Sequence, residues 1–172
     1  MALMDERDWY ASLATSYGSA AALITDRDGP GDSVLLVKPN YRDHWNLPGG
    51  MLEDGEPPHV GCFREVEEEL GLTLDLGALL AVAWAGPEGD RPKPSVSWVF
   101  DGGVLADAEA IRLQKEELDD WRFVAPADFG EYLPPFMARR ARSAVAGKVS
   151  GRTVYVASDR PDRPLGIPGP LP

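Results

Sequence analysis

The sequence predicts an α/β fold in which helices flank a mixed β-sheet. Apolar runs that are typical of buried strands recur along the chain, beginning with residues 19–25 and 33–38. Residues 57–70 form an amphipathic segment whose apolar and acidic side chains lie on different sides of a helix. Predicted strands and helices alternate without the regular βαβ rhythm of a purely parallel sheet, which favours a mixed sheet between helical layers.

Each element follows from its local pattern. Residues 19–25 and 33–38 flank a turn rich in Asp, Gly and Pro, so we expect them to pair as a hairpin. A leading helix is predicted at residues 5–15, with Trp9 and Leu13 on one face. Further strands are expected at residues 73–85, 95–101, 121–124 and 152–157, and a closing helix at residues 135–146. The closing helix carries arginines that we expect to face solvent or a second subunit: Arg139, Arg140 and Arg142.

Length and composition favour one globular domain. The chain has 172 residues, of which 44% are hydrophobic and 26% charged, so it can build a core without disulfides. We place the domain at residues 1–157 and a proline-rich tail without regular structure at residues 158–172.

The charge and the apolar segments exclude several partners. The formal net charge is −11, so a broad nucleic-acid or anionic-membrane surface is not expected. The longest apolar run, residues 78–85, is far too short to span a bilayer, and residues 1–10 lack the apolar core of a signal peptide. The single cysteine, Cys62, fits a reducing compartment. We predict a cytoplasmic protein that binds neither nucleic acid nor membrane.

Three glutamates share one face of the predicted helix at residues 57–70. Glu65, Glu68 and Glu69 stand at i, i+3 and i+4, the spacing that stacks side chains on one face. Like charges at this spacing repel, whereas a hard dication such as Mg²⁺ is held by converging carboxylate oxygens and relieves the repulsion. The pattern therefore predicts a metal site, and in an acidic protein such a metal also neutralises a phosphate substrate.

The flanking residues set the start, the packing and the end of this helix. Gly49 and Gly50 let the backbone approach a ligand closely. Pro57 and Pro58 suit the first turn of a helix, and Gly71 is placed to end it. The apolar side of the helix consists of Phe63, Val66 and Leu70.

Residues 50–72 match every specified position of the Nudix box, G-x5-E-x7-R-E-U-x-E-E-x-G-U, in which U is a bulky aliphatic residue. The matching residues are, in order, Gly50, Glu56, Arg64, Glu65, Val66, Glu68, Glu69, Gly71 and Leu72. A chance match in a chain of near-average composition is on the order of one in a million. The sequence therefore resembles the Nudix hydrolases, which cleave a diphosphate linkage in nucleoside diphosphates joined to another moiety.

This resemblance implies an α/β/α sandwich with a mixed sheet, in which the box forms a loop–helix–loop. Glu68 and Glu69 match the principal metal-ligand positions, and the carbonyl of Gly49 matches a backbone ligand. Glu65 matches a third carboxylate, which binds metal or helps to activate water. The implied cofactor is Mg²⁺, with Mn²⁺ as the alternative.

The resemblance also implies supporting roles within the box. Glu56 and Arg64 match positions that tie the loop to the helix, and we count Arg64 among the catalytic residues. Gly50, Glu56 and Gly71 are expected to be structural. Hydrolysis needs no covalent enzyme intermediate, because a water molecule attacks one phosphorus and the other phosphate departs.

The general base stays open between the box and a later loop. Glu117, four residues before Trp121, is the loop candidate. A solvated run of charges at residues 115–120 is an equally good interpretation of the same stretch.

A polar loop before the box is predicted to contact the substrate. Lys38 and Arg42 offer cations to phosphate, and Trp45 offers an aromatic face to a base. For Trp45, packing on the domain is the favoured alternative. Cys62 lies on the predicted helix one turn before Val66, and we expect it to be packed rather than to act as a nucleophile.

The substrate is predicted to be a small nucleoside diphosphate derivative of the ADP-ribose or nucleotide-sugar type, with nucleoside triphosphates as the other option. Pro87 lies close to where ADP-ribose-cleaving relatives often carry a proline. The alternatives from other classes are a catalytically silent Nudix-fold module that senses a nucleotide and an isoprenoid diphosphate isomerase. The resemblance also makes a homodimer an expected option.

Overall fold

The structure, a computed structural model, describes residues 5–27 and 32–158. The proline-rich tail predicted at residues 158–172 lies outside this part of the chain except for Ser158, as does much of the predicted hairpin turn. The helices are α1 (Glu6–Ser12), α2 (Pro58–Leu70), α3 (Phe129–Tyr132) and α4 (Pro135–Ser150). The strands are β1 (Tyr17–Thr25), β2 (Val34–Pro39), β3 (Gly49–Met51), β4 (Leu79–Ala85), β5 (Ser95–Val104), β6 (Leu118–Val124) and β7 (Val154–Ala157).

The strands within the described residues form one mixed sheet of order β6-β2-β1-β5-β4-β7, with β3 paired to β1. The pairs β1–β5 and β4–β7 are parallel, and the other pairs are antiparallel. The predicted hairpin is confirmed, but β1 and β2 share only the Thr25–Val34 register pair before they diverge. The short strand β3 lies beside β1 where β2 has left it.

Helices cover both faces of the sheet, which confirms the predicted α/β/α arrangement. Helix α2 packs mainly on β1 and β3, and helix α4 packs mainly on β4 and β7. Alternating residues of β1 contribute to two separate cores, because successive side chains of a strand point to opposite faces of the sheet. Ala20, Ala22 and Ile24 face the α2 side, whereas Ala21 and Leu23 face the α4 side.

The α2 core and the α4 core differ in the size of their side chains. On the α2 side, Cys62, Val66 and Leu70 of the helix are fully buried. Helix α4 instead presents a row of small residues to the sheet, so its backbone approaches β4 closely. This row consists of Ala138, Ala141, Ala144 and Gly147.

The predicted strand at residues 73–85 is wrong over its first part, since β4 begins only at Leu79. Leu72, Leu74 and Leu76 alternate with polar residues and pack against the α2 core, but this stretch forms no ladder. In this stretch the alternation of apolar residues identifies the side chains that pack on the core. It does not show that the backbone pairs with a neighbouring strand. Strand β3 was not predicted from the sequence, because Gly49 and Gly50 have low strand propensity.

Two further expectations change at the ends of the chain. Helix α1 is shorter than predicted and buries no residue, and Trp9 and Leu13 are 48% and 44% exposed. Helix α4 extends to Ser150, where Gly151 ends it in a left-handed conformation with φ of 67°. None of the helices in the described residues is long and apolar enough to cross a membrane.

Candidate active site

The site is built where α2 faces the glycine-rich strand β3. Helix α2 begins after the extended residue Pro57 and ends at Gly71, which adopts a left-handed conformation with φ of 65°. The buried apolar face of α2 packs on the sheet and so fixes the position of the helix relative to it. The glutamates of the opposite face differ in exposure: Glu69 is buried, Glu65 is partly buried and Glu68 is exposed.

Glu69 and Glu65 are each held against one of the adjacent glycines. The Gly49 N–H donates a 2.8 Å hydrogen bond to Oε2 of Glu69. The Glu65 carboxyl lies where a side chain at Gly50 would be, because a Cβ built there would meet its atoms at 2.4 Å. Gly50 therefore leaves room for the Glu65 carboxyl, and the Gly49 N–H holds the Glu69 carboxyl beside the strand.

Arg64 links the loop to the helix through its whole guanidinium group. Nε and Nη2 donate to the two carboxylate oxygens of Glu56 at 2.9 and 3.0 Å, a bidentate pair. Nη1 donates to Glu65 at 3.1 Å and to Glu68 at 3.0 Å, and Nη2 also donates to the Met51 carbonyl at 3.1 Å. These bonds raise the pKa of Arg64, chiefly through Glu56, and lower the pKa of Glu56.

The two inner carboxyls of the cluster resist ionisation. Burial, the largest cause, raises the pKa of Glu69 to about 8, and the charges of Glu65, Glu117 and Glu68 add to the effect. The Gly49 hydrogen bond opposes this shift without cancelling it. The pKa of Glu65 is also raised, again mainly by burial, although Arg64 works in the opposite direction. The cluster thus holds carboxyl groups together where burial and mutual repulsion disfavour their charged forms.

The donor set suits a hard divalent cation, although the described carboxylates do not converge on one point. Within the described residues no group of three or more His, Cys, Asp or Glu side chains is close enough to hold a metal ion. Arg64 instead bridges Glu65 and Glu68, and its guanidinium supplies the positive charge between them. The residues that would hold a metal are all oxygen donors, which Mg²⁺ and similar ions prefer.

Glu117 approaches this cluster from a separate loop. Its charge contributes to the raised pKa of both Glu65 and Glu69. The loop is fastened to the end of α2, because the N–H groups of Arg112 and Gln114 donate to the carbonyls of Leu70 and Glu69 at 2.7 and 2.9 Å. The sequence alone could not reveal these backbone bonds, since they depend on the path of the chain and not on side-chain type.

Asn40 fastens the same loop from its other side. The Asn40 N–H donates to the Glu117 carbonyl, and its side-chain amide donates to the Glu116 carbonyl, each at 2.8 Å. The structure therefore joins the loop before the box to the loop that carries Glu117. Asn40 was not singled out from the sequence, because a lone Asn in a polar loop carries no recognisable signal.

The three predicted substrate contacts are engaged with the protein itself. Nζ of Lys38 donates to the carbonyls of Pro39 and Arg42. The Arg42 guanidinium lies over the Tyr41 ring, 5.5 Å from its centroid. These contacts hold the loop in shape, and the roles of Lys38 and Arg42 toward a substrate stay predictions.

Trp45 packs on the domain, in agreement with the favoured alternative. Its ring meets Tyr132 edge-on, with the ring centroids 5.6 Å apart, and Arg122 lies over its face at 5.5 Å. Cys62 is buried in the α2 core, and burial raises the pKa of its thiol to about 12. A thiol with so high a pKa is a poor nucleophile at neutral pH.

The helix that carries the box carboxylates lies beside a glycine-rich strand of a mixed sheet. The chain belongs to the Nudix family, because the NUDIX domain family model matches residues 16–146. An RNA pyrophosphohydrolase of Erythrobacter litoralis (strain HTCC2594) is 22% identical over 141 residues, which cover 73% of this chain and 86% of that relative.

Solved structures share the fold. The crystal structure of the MutT protein from Methanosarcina mazei Go1 matches with a TM-score of 0.64 and 25% identity, over 78% of this chain and 96% of that one. A UDP-X diphosphatase matches with a TM-score of 0.64 and 24% identity, over 89% of this chain and 75% of that one. The family match and these neighbours identify the chain as a Nudix hydrolase.

Proposed function

We propose that this protein is a Mg²⁺-dependent hydrolase that cleaves the diphosphate linkage of a nucleoside diphosphate derivative. The observation that carries the proposal is the placement of Glu65 and Glu69 against Gly50 and Gly49, with Glu117 close enough to raise the pKa of both. Glu65, Glu69 and Glu117 repel one another, so their proximity does not stabilise the fold by itself. The same carboxylates would provide the affinity of a cation site.

Each residue of the cluster has a definite task in this proposal. Glu65, Glu68, Glu69 and the Gly49 carbonyl would hold the metal, which supplies charge neutralisation at the phosphate oxygens when it is bound. The Gly49 N–H fixes the orientation of Glu69. Arg64 fixes Glu65 and Glu68 and ties them to the loop through Glu56 and the Met51 carbonyl.

We assign the general base to Glu117. Its charge reaches Glu65 and Glu69, and its loop is fastened to the end of α2 and to Asn40. A base on this loop can take the proton of the attacking water while the box carboxylates remain free for the metal. If this assignment is right, Glu117→Gln lowers kcat by about 10²- to 10⁴-fold. Glu116→Gln, next to it and also exposed, is the control and keeps wild-type kcat.

The substrate class that we favour is the ADP-ribose or nucleotide-sugar type, with nucleoside triphosphates as the second option. The Nudix family match and a similar RNA pyrophosphohydrolase support cleavage of a diphosphate linkage, and the ADP-ribose or nucleotide-sugar class is our own extension of that support. We propose a cytoplasmic enzyme with a small-molecule substrate and no nucleic-acid or membrane partner, in keeping with the net charge of −11. A homodimer stays a prediction.

The proposal is tested by a phosphate-release screen over nucleoside diphosphate and triphosphate derivatives, with Mg²⁺, with Mn²⁺ and with chelator. We expect turnover that chelator abolishes. Glu68→Gln should lower kcat by orders of magnitude without unfolding the protein, because the side chain is exposed. Glu67→Gln, an exposed glutamate of the same helix outside the box pattern, is the matched control.

Two outcomes contradict the proposal. Turnover that survives chelator would exclude the metal, and equal kcat in the Glu67 and Glu68 variants would exclude the box carboxylates. Nucleotide binding without hydrolysis of any compound in the screen would favour the silent sensing module instead.

A further inference from the structure

Strand β7 (Val154–Ala157) forms one outer edge of the sheet, and none of its residues is charged. Its inner side pairs with β4, and no strand among the residues that the structure describes pairs with its outer side. The opposite edge, β6, carries exposed charges on Asp119, Asp120 and Arg122. Charges keep an edge strand from pairing with other chains, and an apolar edge is commonly covered by a helix or loop. The composition of β7 therefore favours a segment that covers it.

A groove lies beside β7, between this strand and helix α4. Its volume is about 430 Å³, and the residues that line it are Arg139, Arg142, Ser143, Ala146 and Val154. The two arginines give the groove positive charge, and Ala146 and Val154 give it apolar surface. The groove therefore suits a segment that carries both acidic and apolar residues.

The third arginine of the closing helix does not line this groove. Arg140 was expected on a solvated or subunit-facing side together with Arg139 and Arg142, and that expectation is wrong. Its guanidinium donates to the Ser97 hydroxyl at 3.1 Å and to Oδ1 of Asn46 at 3.2 Å, and burial lowers its pKa to about 10. Arg139 and Arg142 alone therefore supply the charge of the groove.

The chain leaves the sheet next to the groove. Nη2 of Arg139 donates to the carbonyl of Ala157, the last residue of β7. The Ser158 N–H donates to the Trp84 carbonyl at 3.0 Å, and the Gly86 N–H donates to the Ser158 hydroxyl at 3.2 Å. These bonds fix the point from which the rest of the tail, residues 159–172, begins.

The remaining tail is long enough to fill the groove. Arg139 and Ala146 are two helical turns apart, which is roughly 10 Å along α4. An extended proline-rich segment advances about 3.1 Å per residue, so about four residues span that distance. Residues 159–172 therefore reach the whole groove from Ser158, even after the chain has reversed its direction.

The sequence of the tail complements the charge of the groove. Residues 159–164 repeat the triplet Asp-Arg-Pro. Because a polyproline II helix has three residues per turn, Asp159 and Asp162 fall on one face of such a helix and the arginines of the triplets fall on another. Arg139 and Arg142 are also three residues apart, on one side of α4. The carboxylates thus come in the same order along the tail as the guanidinium groups along the groove.

We propose that residues 159–172 bind in the groove of their own chain, with Asp159 and Asp162 beside Arg139 and Arg142. The apolar residues that follow the triplets lie against the apolar part of the groove and cover the outer edge of β7. Exposed ion pairs contribute little individually, but the tail is tethered at Ser158, so docking is intramolecular and needs little affinity. Proline has no N–H to donate, so a proline-rich cover does not extend the sheet toward another chain.

The docking is tested in the full chain by NMR with a nitroxide on the tail. Leu165→Cys provides the attachment site, since Cys62 is buried and does not react. We expect the amide signals of Ala146 and Val154 to lose most of their intensity relative to the reduced label. The signal of Val60, an exposed residue of α2 on the other face of the sheet, is the control and keeps its intensity. Full intensity at Ala146 and Val154, or equal losses on both faces, overturns the proposal.

A charge reversal tests the assigned ion pair. Arg142→Asp should restore the signals of Ala146 and Val154 to nearly full intensity, and adding Asp162→Arg should weaken them again. The matched control is Arg152→Asp, which alters an exposed arginine just before β7 that does not line the groove and should leave the loss unchanged. A loss in Arg142→Asp equal to that in the unaltered groove overturns the proposed pairing. If Arg142→Asp does not fold, the labelled protein with the native groove still decides the question.

A second copy of the chain is the competing occupant of the groove. To distinguish it, ¹⁵N-labelled protein without nitroxide is mixed with nitroxide-labelled protein that carries no ¹⁵N. Docking within one chain leaves the ¹⁵N spectrum unchanged. Loss of the Ala146 and Val154 signals in the mixture means that the tail of one copy occupies the groove of another, and it overturns the proposal. Neither experiment involves turnover, so the result does not depend on the proposed hydrolysis.

Discussion

At the scale of single residues, the two adjacent glycines of the box serve different purposes. Gly49 has a φ of 133°, and a Cβ there would come within 2.2 Å of the Ala20 carbonyl oxygen, which belongs to the backbone of β1. A Cβ at Gly50 would instead meet the Glu65 carboxyl, the far end of a flexible side chain. The absence of a side chain is thus required by the fold at Gly49 and by the site at Gly50.

Substitutions separate these two roles. We expect Gly50→Ala to lower kcat by about 10- to 100-fold, as is typical when a metal-ligating side chain is misplaced, while the melting temperature stays close to wild type. Gly49→Ala should lower the free energy of unfolding by about 2–4 kcal/mol, because it adds backbone strain to a clash that no side-chain movement relieves. Steady-state kinetics and urea unfolding measure the two effects.

The comparison has a control in the turn that follows β3. Gly55 also has a positive φ, 73°, but a Cβ there meets nothing within 4 Å. Gly55→Ala should therefore lower the free energy of unfolding only modestly, through backbone strain alone, and should keep the wild-type kcat. Loss of stability in Gly50→Ala equal to that in Gly49→Ala would refute the division of roles.

Glu69 gives a prediction about pH. Its pKa rises from 4.5 to about 8 on folding, so between these values the folded protein binds a proton that the unfolded chain has released. The free energy of unfolding in chelator therefore falls as pH rises across this window, by up to about 1.4 kcal/mol per unit from this group. Glu69→Gln removes this contribution.

The measurement is urea unfolding of both proteins in chelator from pH 5 to pH 8. We expect Glu69→Gln to match the wild type near pH 5 and to be increasingly more stable toward pH 8, although it loses catalysis. A stability difference that does not change with pH would show that Glu69 is ionised throughout. The residue would then not carry the raised pKa that burial gives it.

At the scale of elements, the sequence predicted those helices and strands that depend on a local pattern of residues. The hairpin of β1 and β2, helix α2 and helix α4 follow from apolar periodicity, prolines and glycines, and all three are present. β3 and the irregular stretch at residues 73–78 did not follow, because pairing there depends on neighbours distant in sequence. In the site, the spacing of Glu65, Glu68 and Glu69 was readable, whereas the approach of Glu117 and the burial of Arg140 depend on tertiary packing.

The small-residue row of α4 gives a prediction for one element. Gly147 lies so close to β4 that a Cβ would come within 2.4 Å of the Leu80 carbonyl oxygen and 3.0 Å of the Arg152 carbonyl oxygen. Because both atoms belong to the backbone, Gly147→Ala must displace the helix from the sheet. We expect a loss of about 1–3 kcal/mol in the free energy of unfolding.

A second glycine provides the comparison for Gly147→Ala. Gly130 in α3 would bring a new Cβ no closer than 3.8 Å to the Arg142 side chain, so Gly130→Ala should be neutral or stabilising by up to about 1 kcal/mol. Both stabilities are read from urea unfolding. Equal effects of the two substitutions would mean that α4 does not depend on the close approach at Gly147.

At the scale of the whole molecule, the domain is acidic and brings several of its carboxyl groups together in one place. The net charge is −11, and the box cluster adds local repulsion between carboxyls that the fold holds together. The two cores on either side of the sheet supply the stability that keeps these groups in place. A ligand that binds only the folded cluster should therefore stabilise the entire domain.

Magnesium should raise the melting temperature beyond what ionic strength explains. At 100 times its dissociation constant a ligand of the folded state adds about 2.7 kcal/mol, which for a chain of this size corresponds to about 5–10 °C. The effect should be larger at pH 8 than at pH 6, because a proton on Glu69, whose pKa is about 8, competes with the metal. Thermal unfolding in MgCl₂ and in NaCl of equal ionic strength, at both pH values, measures the difference. Equal shifts in the two salts would mean that screening of the net charge accounts for the whole effect and that the cluster binds no metal.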